Sequence, residues 1–213
     1  MTILLVDDHK MLRDGLRAIL EKAGLSVVGE ASGGREAIEV TRHLRPKIVV
    51  MDISMPDLNG VDATRLLVAE FPGIRVIALS MNADRRYVVA MFKAGAVGYL
   101  LKNSASDELL QAVHAVREGL TYVSPSIASV VVDESLIERR ASALPTQKTI
   151  SPREREVLQL LAEGASSKEI ANRLDIAVTT VETHRRQIME KLDLHTIAEL
   201  TKYAIREGVT SLG

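Results

Sequence analysis

Four short apolar segments in the first half of this 213-residue sequence each end at a side chain that could bind a cation or a phosphoryl group. Asp7 and Asp8 follow the first segment, and Asp52, Ser80 and Lys102 follow three later ones. If folding brings them together, the carboxylates will repel one another in a partly desolvated pocket and will need a cation. Oxygen ligands with open positions suit Mg²⁺, and lysine provides a point charge for a phosphoryl oxygen. Asp52 could then act as a nucleophile and form an aspartyl phosphate.

A repeating order of strands and helices is the feature that would place these side chains together. From residue 1 to about 118, runs rich in Val, Ile and Leu alternate with amphipathic stretches, as in parallel strands buried on both faces. Five such units predict a doubly wound, five-stranded parallel α/β sheet. Sites in such sheets form outside the carboxyl ends of the strands. The five runs are Ile3–Val6, Leu25–Gly29, Ile48–Met51, Ile74–Leu79 and Val97–Leu101.

The chain after residue 149 has a different, wholly helical pattern. Ser151 and Glu154 have the spacing of a capping box, and Ser166 and Glu169 repeat it. The apolar periodicity predicts four helices, which are enough for a separate small domain. Prolines and polar residues between the two patterns indicate a partly helical linker, with some apolar periodicity from 127 to 137. The expected ranges are 1–120 for the first domain, 121–147 for the linker and 148–213 for the second domain.

Composition narrows the classes of function. The chain has 27 Lys and Arg against 28 Asp and Glu, a formal net charge of -1, which excludes a histone-like polycation. It has no cysteine, which excludes a disulfide framework, cysteine-ligated zinc and thiol catalysis. Its apolar runs are far shorter than the roughly 18 residues of a membrane helix, and the first leads directly into two aspartates, unlike a secretory signal. These features predict a cytoplasmic protein without a membrane partner.

Four segments of the first half carry a specific resemblance to a known family. They are Val6–His9, Met51–Gly60, Leu79–Ser80 and Leu101–Lys102. Together they resemble the receiver domain of bacterial two-component response regulators, whose fold is flavodoxin-like. The resemblance covers about the first 118 residues and departs at Asn103, where many receivers have proline.

The resemblance implies roles for the carboxylates and the lysine. It implies that Asp52 accepts a phosphoryl group from a sensor histidine kinase, with Lys102 beside it. It also implies that Asp8, Asp52 and the backbone carbonyl of Ser54 hold Mg²⁺, with the assistance of Asp7. The metal and the phosphoryl group would then share one pocket.

The resemblance further implies a switch. Ser80 would turn towards the phosphoryl group, and Tyr99 would rotate with it as the switch aromatic. Simple packing of Tyr99 beside the last strand is the alternative. His9 also follows the acidic pair, and we interpret it as a polar residue of the first helical turn rather than as a metal ligand.

The third helix of the second half has residue types that contact nucleic acid. Val181, Ile188 and Leu192 mark its buried face. A charged, solvated helix in a small bundle is the alternative, because residues 146–213 contain ten basic and ten acidic side chains and have no net charge to favour nucleic acid. The open faces carry phosphate- and base-contacting types, namely Thr180, Glu182, Thr183, Arg185, Arg186 and Gln187.

A second resemblance decides between these alternatives. Ser151–Leu158, Ser167–Ala171, Thr180–His184 and Lys191–Leu192 resemble the LuxR-type helix-turn-helix, and with the receiver the whole chain is similar to the NarL/FixJ class of transcriptional regulators. The resemblance implies that the helix from about 178 to 192 enters the major groove of DNA. It implies base reading by Glu182, Thr183 and Arg186, and phosphate contacts by Lys168, Thr180 and Arg185.

Three details of this helical domain give further expectations. Glu182 and Arg186 are four residues apart, so they could also pair with each other. Ala177 stands at the N-cap of the recognition helix, where the family often has Ser, and this should cost about 1 kcal/mol. The last helix, around Leu200, resembles the dimer helix of the family; the alternative is that its apolar residues all belong to the core.

These features together predict a DNA-binding transcriptional regulator that is controlled by phosphorylation and is a homodimer when phosphorylated. Phosphorylation would either free the recognition helix or promote dimerisation. The protein would not be an enzyme, although it would slowly autodephosphorylate. One rival is an aspartate-nucleophile Mg²⁺ phosphatase, but such enzymes typically have a second acid where this chain has Ser54. Another is an adaptor that binds protein instead of DNA, and each polar residue taken singly could be structural.

Overall fold

The computed structural model describes residues 1–81, 83–103, 106–128 and 150–210. The chain divides into two compact units, Met1–Ser142 and Ala143–Gly213. The predicted helical stretch of the linker lies, from residue 129, outside the described residues.

The first unit is a doubly wound parallel sheet with the strand order β2-β1-β3-β4-β5-β6. Every neighbouring pair of strands is parallel. Its strands are β1 (Thr2–Val6), β2 (Ser26–Ala31), β3 (Ile48–Asp52), β4 (Arg75–Ser80), β5 (Gly98–Leu101) and β6 (Tyr122–Val123). Its helices are α1 (Lys10–Lys22), α2 (Gly34–Leu44), α3 (Gly60–Glu70), α4 (Arg85–Lys93) and α5 (Ser106–Arg117).

The sheet is buried on both faces, as its continuous apolar runs predicted. Alternate residues of β1 belong to opposite layers of the core: Leu4 and Val6 to one layer, and Ile3 and Leu5 to the other. All four are at most 2% exposed. This two-sided burial explains why the strands read as unbroken Val, Ile and Leu instead of alternating with polar residues.

The predicted count of five strands was wrong by one. The sixth strand, β6, pairs with β5 so that Gly98 lies beside Tyr122 and Tyr99 beside Val123. A 3-10 turn, Pro125–Ile127, follows it. Two residues are too few to give a periodic signal, which is why the sequence placed this segment in the linker.

The second unit has four helices among its described residues, as predicted: α6 (Pro152–Ala162), α7 (Ser167–Leu174), α8 (Val178–Leu192) and α9 (Ile197–Arg206). Both predicted capping boxes are present, at the starts of α6 and α7, and Thr196 with Glu199 makes a third at α9. The buried core includes Val157, Ile170 and Leu200. No helix in the described ranges is long and apolar enough to span a bilayer.

Candidate functional site

The carboxyl ends of three central strands bring the predicted polar side chains to one edge of the sheet. The parallel register pairs Val6 with Met51 and Asp52 with Leu79. Asp7 and Asp52 are each 1% exposed, and Ser80 is 3% exposed. The strand ends therefore form a recessed acidic pocket.

Lys102 lies between the two buried aspartates. Its Nζ is 2.7 Å from Asp7 Oδ2 and 2.8 Å from Asp52 Oδ2. Its backbone nitrogen donates to the carbonyl of Ser80 at 2.7 Å, which fixes the end of β5 against the end of β4. Asn103 follows this lysine at the position where many receivers have proline. The ammonium group of Lys102 lies beside both carboxylates without that proline.

Burial governs the electrostatics of the pocket. Removal from water and the nearby charge of Asp7 raise the pKa of Asp52, whereas Lys102 and a hydrogen bond from Ser54 lower it. The net pKa is about 6 instead of 3.8. Burial alone would lower the pKa of Lys102, but its two carboxylate partners outweigh burial and raise it. Two buried carboxylates thus share one ammonium group, and the excess negative charge favours a divalent cation.

Four side chains could supply ligands to such a cation. Ligand atoms of Asp7, Asp8, His9 and Asp52 all lie within 4.8 Å of one another. Asp8 and His9 are exposed while the other two are buried, so the pocket opens to solvent on one side. Carboxylate oxygens with an open side fit the coordination of Mg²⁺, which keeps several waters. Ser54, the other predicted contributor, is exposed, and its nitrogen donates to Asp52 Oδ1 at 3.3 Å.

The position of His9 differs from the sequence interpretation. It is the N-cap of α1 and not part of its first turn. Its Nδ1 lies 2.7 Å from Asp8 Oδ1 and 3.2 Å from Asp7 Oδ1, and its backbone nitrogen donates to Asp7 Oδ1 at 2.8 Å. The imidazole is therefore a member of the acidic cluster, although its sequence position suggested only a helix residue.

A tight loop behind Asp52 holds the end of β3 in place. The nitrogen of Gly60 donates to the carbonyl of Ile53 at 2.8 Å. A Cβ at position 60 would lie 1.9 Å from the carbonyl oxygen of Asp52, a distance that only glycine permits. The loop after the strand therefore folds directly against the backbone of the candidate nucleophile.

Ser80 and Tyr99 are joined below the pocket. Their side chains share a hydrogen bond, and burial raises the pKa of Tyr99 to about 12 despite that bond. Tyr99 is 0% exposed and belongs to the same core layer as Ile127. Its carbonyl accepts from the nitrogen of Ser124 at 3.0 Å. The sequence did not indicate that the backbone of Tyr99 also accepts a hydrogen bond from the segment that follows β6.

Helix α8 has the predicted bounds and the predicted orientation. Val181 and Ile188 are fully buried, and Leu192 packs partly buried against the same core. Glu182 and Arg186 are exposed, and a groove of about 570 Å³ lies beside them. The remaining predicted DNA contacts are also open: Lys168 is exposed, and Thr180, Thr183 and Arg185 are intermediate.

The predicted pairing of Glu182 with Arg186 was wrong. Glu182 instead lies 3.7 Å from Arg185 and accepts a hydrogen bond from the hydroxyl of Ser167. Arg186 turns towards Glu190, at 4.0 Å. The bond to Ser167 draws the carboxylate towards α7, away from the next turn of its own helix.

Two contacts from the first turn of α6 hold the helix-turn-helix together, and sequence reasoning did not identify them. Lys191 Nζ lies 2.8 Å from each carboxylate oxygen of Glu154, near the end of α8. Burial by itself would raise the pKa of Glu154, but Lys191 and Ser151 hold it below its ordinary value. Arg153 donates to the carbonyl of Leu174, the last residue of α7, at 2.7 Å. The capping-box spacing explained Glu154 only as a cap.

Comparisons with known proteins agree with this division. Residues 3–114 match the response regulator receiver domain, and residues 148–204 match the bacterial regulatory proteins of the luxR family. The chain is 38% identical over 210 residues to the transcriptional regulatory protein MctR of Rhizobium johnstonii, covering 98% of this chain and 95% of MctR. It is 35% identical over 209 residues to the nitrate/nitrite response regulator NarL of Escherichia coli K12, covering 98% and 96% of the two chains.

A solved structure is similar along the whole chain. It is RcsB of Salmonella enterica serovar Typhimurium bound to the promoter P1flhDC in the presence of the phosphomimetic BeF3-. Its sequence is 28% identical, the match covers 99% of each chain, and the TM-score is 0.61. Both halves of this chain therefore have counterparts in that structure, in the same order.

Proposed function

The chain belongs to the NarL/FixJ class of two-component response regulators, and from that premise we propose that phosphorylation of Asp52 controls how its LuxR-type domain binds DNA. Regulators of this family bind DNA and are phosphorylated by histidine kinases; they are not classical enzymes. The single observation that carries the proposal is the placement of Lys102 between Asp7 and Asp52. The pocket holds a nucleophile, a cation for the phosphoryl oxygens and carboxylates for a metal.

In the proposed transfer, a carboxylate oxygen of Asp52 attacks the phosphorus of a kinase phosphohistidine. The P–O bond forms, the P–N bond breaks, and the imidazole nitrogen leaves with the bonding electrons. Asp52 is ionised above its pKa of about 6 and so is a competent nucleophile at neutral pH. Lys102 needs only to exchange its contact with Asp52 for one with a phosphoryl oxygen.

Receiver domains generally bind Mg²⁺ at their acidic pocket, and we assign the same cation here. Asp8, Asp52 and the carbonyl of Ser54 would hold it, with the assistance of Asp7. When bound, Mg²⁺ would neutralise charge on the transferring phosphoryl group. Because position 54 lacks an acid that could assist hydrolysis, autodephosphorylation would be slow.

The proposed switch begins at Ser80. A phosphoryl group on Asp52 would offer its hydroxyl a charged acceptor that is stronger than the phenol of Tyr99. Loss of the Ser80 bond would allow Tyr99 to move. Its backbone bond with Ser124 and the core layer that it shares with Ile127 would carry that movement out of the sheet. Ser124 and Ile127 lie in the proposed linker, 121–147, between a receiver at 1–120 and a DNA-binding domain at 148–213.

We propose that α8 enters the major groove as a recognition helix in a phosphorylated homodimer. Glu182, Thr183 and Arg186 would read bases, while Lys168, Thr180 and Arg185 would contact phosphates. Solvent access at all six positions supports this proposal. A regulator that binds chromosomal DNA in this way would act in the cytoplasm.

Intact-mass measurement tests the phosphoacceptor. With Mg²⁺ and a small acyl phosphate, the wild-type chain should gain the mass of one phosphoryl group, and Asp52→Asn should gain none. Asp57→Asn is the matched control, because Asp57 lies in the same loop with a φ of 66°, which asparagine tolerates. Asp57→Asn should be phosphorylated like the wild type. Equal incorporation by Asp52→Asn would overturn the assignment.

A further inference from the structure

The carboxylate of Glu182 is held by two partners although it lies on the open face of α8. One oxygen accepts a hydrogen bond from Ser167 Oγ, and the other lies 3.7 Å from Arg185 Nη1. Its side chain is 49% exposed. The bond from Ser167 crosses between the two helices of the helix-turn-helix, joining the first residue of α7 to the second turn of α8.

Arg186, the neighbouring candidate base reader, is held much less firmly. Its side chain is 71% exposed, and it lies 4.0 Å from the carboxylate of Glu190. The side chain of Glu190 is itself 69% exposed. An exposed pair at that distance contributes little energy and leaves both side chains free to rotate. In the free protein, the side chain of Glu182 is therefore held more rigidly than that of Arg186, the other candidate base-contacting residue.

The backbone that carries Ser167 is itself rigidly placed. Ser166, the preceding residue, forms a capping box with Glu169. One turn later, Ile170 is buried in the same core as Val181 of α8. The distance between the Ser167 hydroxyl and α8 is thus set by buried packing and by the helix cap.

We infer that Ser167 is a positioning residue for specificity, which fixes Glu182 so that it accepts a hydrogen bond from a base amino group in the major groove. This inference rests on the proposed role of Glu182 as a base reader. The bases with such a donor are cytosine, through N4, and adenine, through N6. An ionised carboxylate has about four acceptor sites, so Glu182 can accept from a base while Ser167 donates to one of its oxygens.

The physical reason for such a device is the negative charge of Glu182. Phosphates on both sides of the groove repel a carboxylate, so an unheld glutamate would swing towards solvent instead of facing a base. A carboxylate that is already fixed in the free protein loses little rotamer freedom on binding. Ser167 would therefore affect which base is preferred more than how tightly DNA is bound.

The test uses the full chain, phosphorylated with an acyl phosphate, and a pool of DNA duplexes with a randomised central segment. Sequencing of the bound fraction gives the base preference at each position, and titration of the pool gives overall affinity. Ser167→Ala should lower the preference at one base pair by about three- to tenfold and change overall affinity less than about twofold. Ser167→Thr keeps the hydroxyl and should retain the wild-type preference.

Variants at Glu182 separate the inference from the function on which it rests. Glu182→Ala should lose preference at the same base pair, and adding Ser167→Ala to it should cause no further loss. If Glu182→Ala alters that preference while Ser167→Ala leaves it unchanged, the positioning role is wrong but the reader role stands. If Glu182→Ala alters no base preference, the proposed reader role fails, and the inference fails with it.

Discussion

Asp52 combines a chemical requirement with a physical cost. As the proposed phosphoacceptor it must be ionised to attack phosphorus, yet it is 1% exposed and near the carboxylate of Asp7. Lys102 reduces this cost without removing it, since the pKa of Asp52 stays near 6 instead of 3.8. The pocket is therefore prepared for a further cation and for a phosphoryl group, both of which change its charge balance.

The cost predicts a pH-dependent effect of Asp52→Asn on stability. In the unfolded chain Asp52 ionises near pH 3.8, whereas in the folded protein it keeps its proton up to about pH 6. Folding therefore takes up a proton between these values, and the wild type loses stability relative to Asp52→Asn as pH rises through this window. The difference should level off above pH 6 at about 1–3 kcal/mol, since each pKa unit corresponds to about 1.4 kcal/mol.

Urea unfolding at several pH values with a metal chelator measures this difference. A constant difference between Asp52→Asn and the wild type from pH 4 to 7 would contradict the argument.

The proposed DNA contacts divide into base readers and phosphate contacts. Arginine can bond both acceptors of guanine, so Arg186→Ala should cost about 1–3 kcal/mol and relax preference at one base pair. Lys168→Ala should weaken all sequences about equally and reduce the salt dependence of binding. Titration of a selected duplex and its single-base variants at two salt concentrations separates the two effects. The assignments are reversed if Lys168→Ala changes base preference while Arg186→Ala does not.

At the scale of elements, α8 begins without a side-chain cap. Ala177 has the extended backbone of an N-cap residue, with φ -67° and ψ 147°, but it has no side-chain acceptor for the free amides of the first turn. Its carbonyl does bond the nitrogens of Thr180 and Val181. The start of α8 is thus capped by backbone hydrogen bonds and by no side chain of its N-cap residue.

Ala177→Ser should therefore stabilise the second unit by about 1 kcal/mol. Ser166→Ala is the reciprocal control, because Ser166 caps α7, and it should cost a similar amount. Chemical denaturation of the full chain, followed by helical circular dichroism, measures both. If Ala177→Ser does not raise the free energy of unfolding while Ser166→Ala clearly lowers it, the first amides of α8 already have hydrogen-bond partners and the argument is wrong.

Most elements could be predicted from the sequence because burial imposes a period on the residues. The continuous apolar runs gave the central strands, and the spacing of Val181, Ile188 and Leu192 gave the buried face of α8. The bounds of α8 came from the resemblance to the LuxR-type helix-turn-helix. The strand-end rule placed Asp7 and Asp52 together before any geometry was known. Strand β6 could not be predicted, because its two residues are held by pairing with β5 and not by a pattern of their own.

Contacts between helices were also beyond prediction from the sequence. The bond from Ser167 to Glu182 and the pair of Lys191 with Glu154 depend on how the helices pack and on which rotamers that packing permits. An i, i+4 rule suggested a different partner for Glu182, because it considers one helix in isolation. The spacing of residues along one helix identifies its exposed face, but it does not identify the side chains of a neighbouring helix that bond to that face.

At the scale of the whole molecule, the protein contains two compact units, and the proposed function requires a signal to pass from one to the other. Under this proposal, Tyr99 sends the signal. Its side chain bonds Ser80 at the acidic pocket, and its carbonyl bonds Ser124 in the segment after β6. The hydroxyl of Ser124 in turn donates to Glu108 of α5, so the segment after β6 is hydrogen-bonded to both β5 and α5.

The most direct test of this account is the DNA affinity of Ser80→Ala before and after phosphorylation, measured by titration with a duplex selected by the phosphorylated wild type. Phosphorylation should tighten binding by the wild type about 5- to 150-fold, the usual range of coupling between sites. Ser80→Thr keeps the hydroxyl and should retain the tightening. Ser80→Ala should gain the phosphoryl mass but bind DNA no more tightly than before. Tightening of Ser80→Ala by the same factor as the wild type would contradict the account.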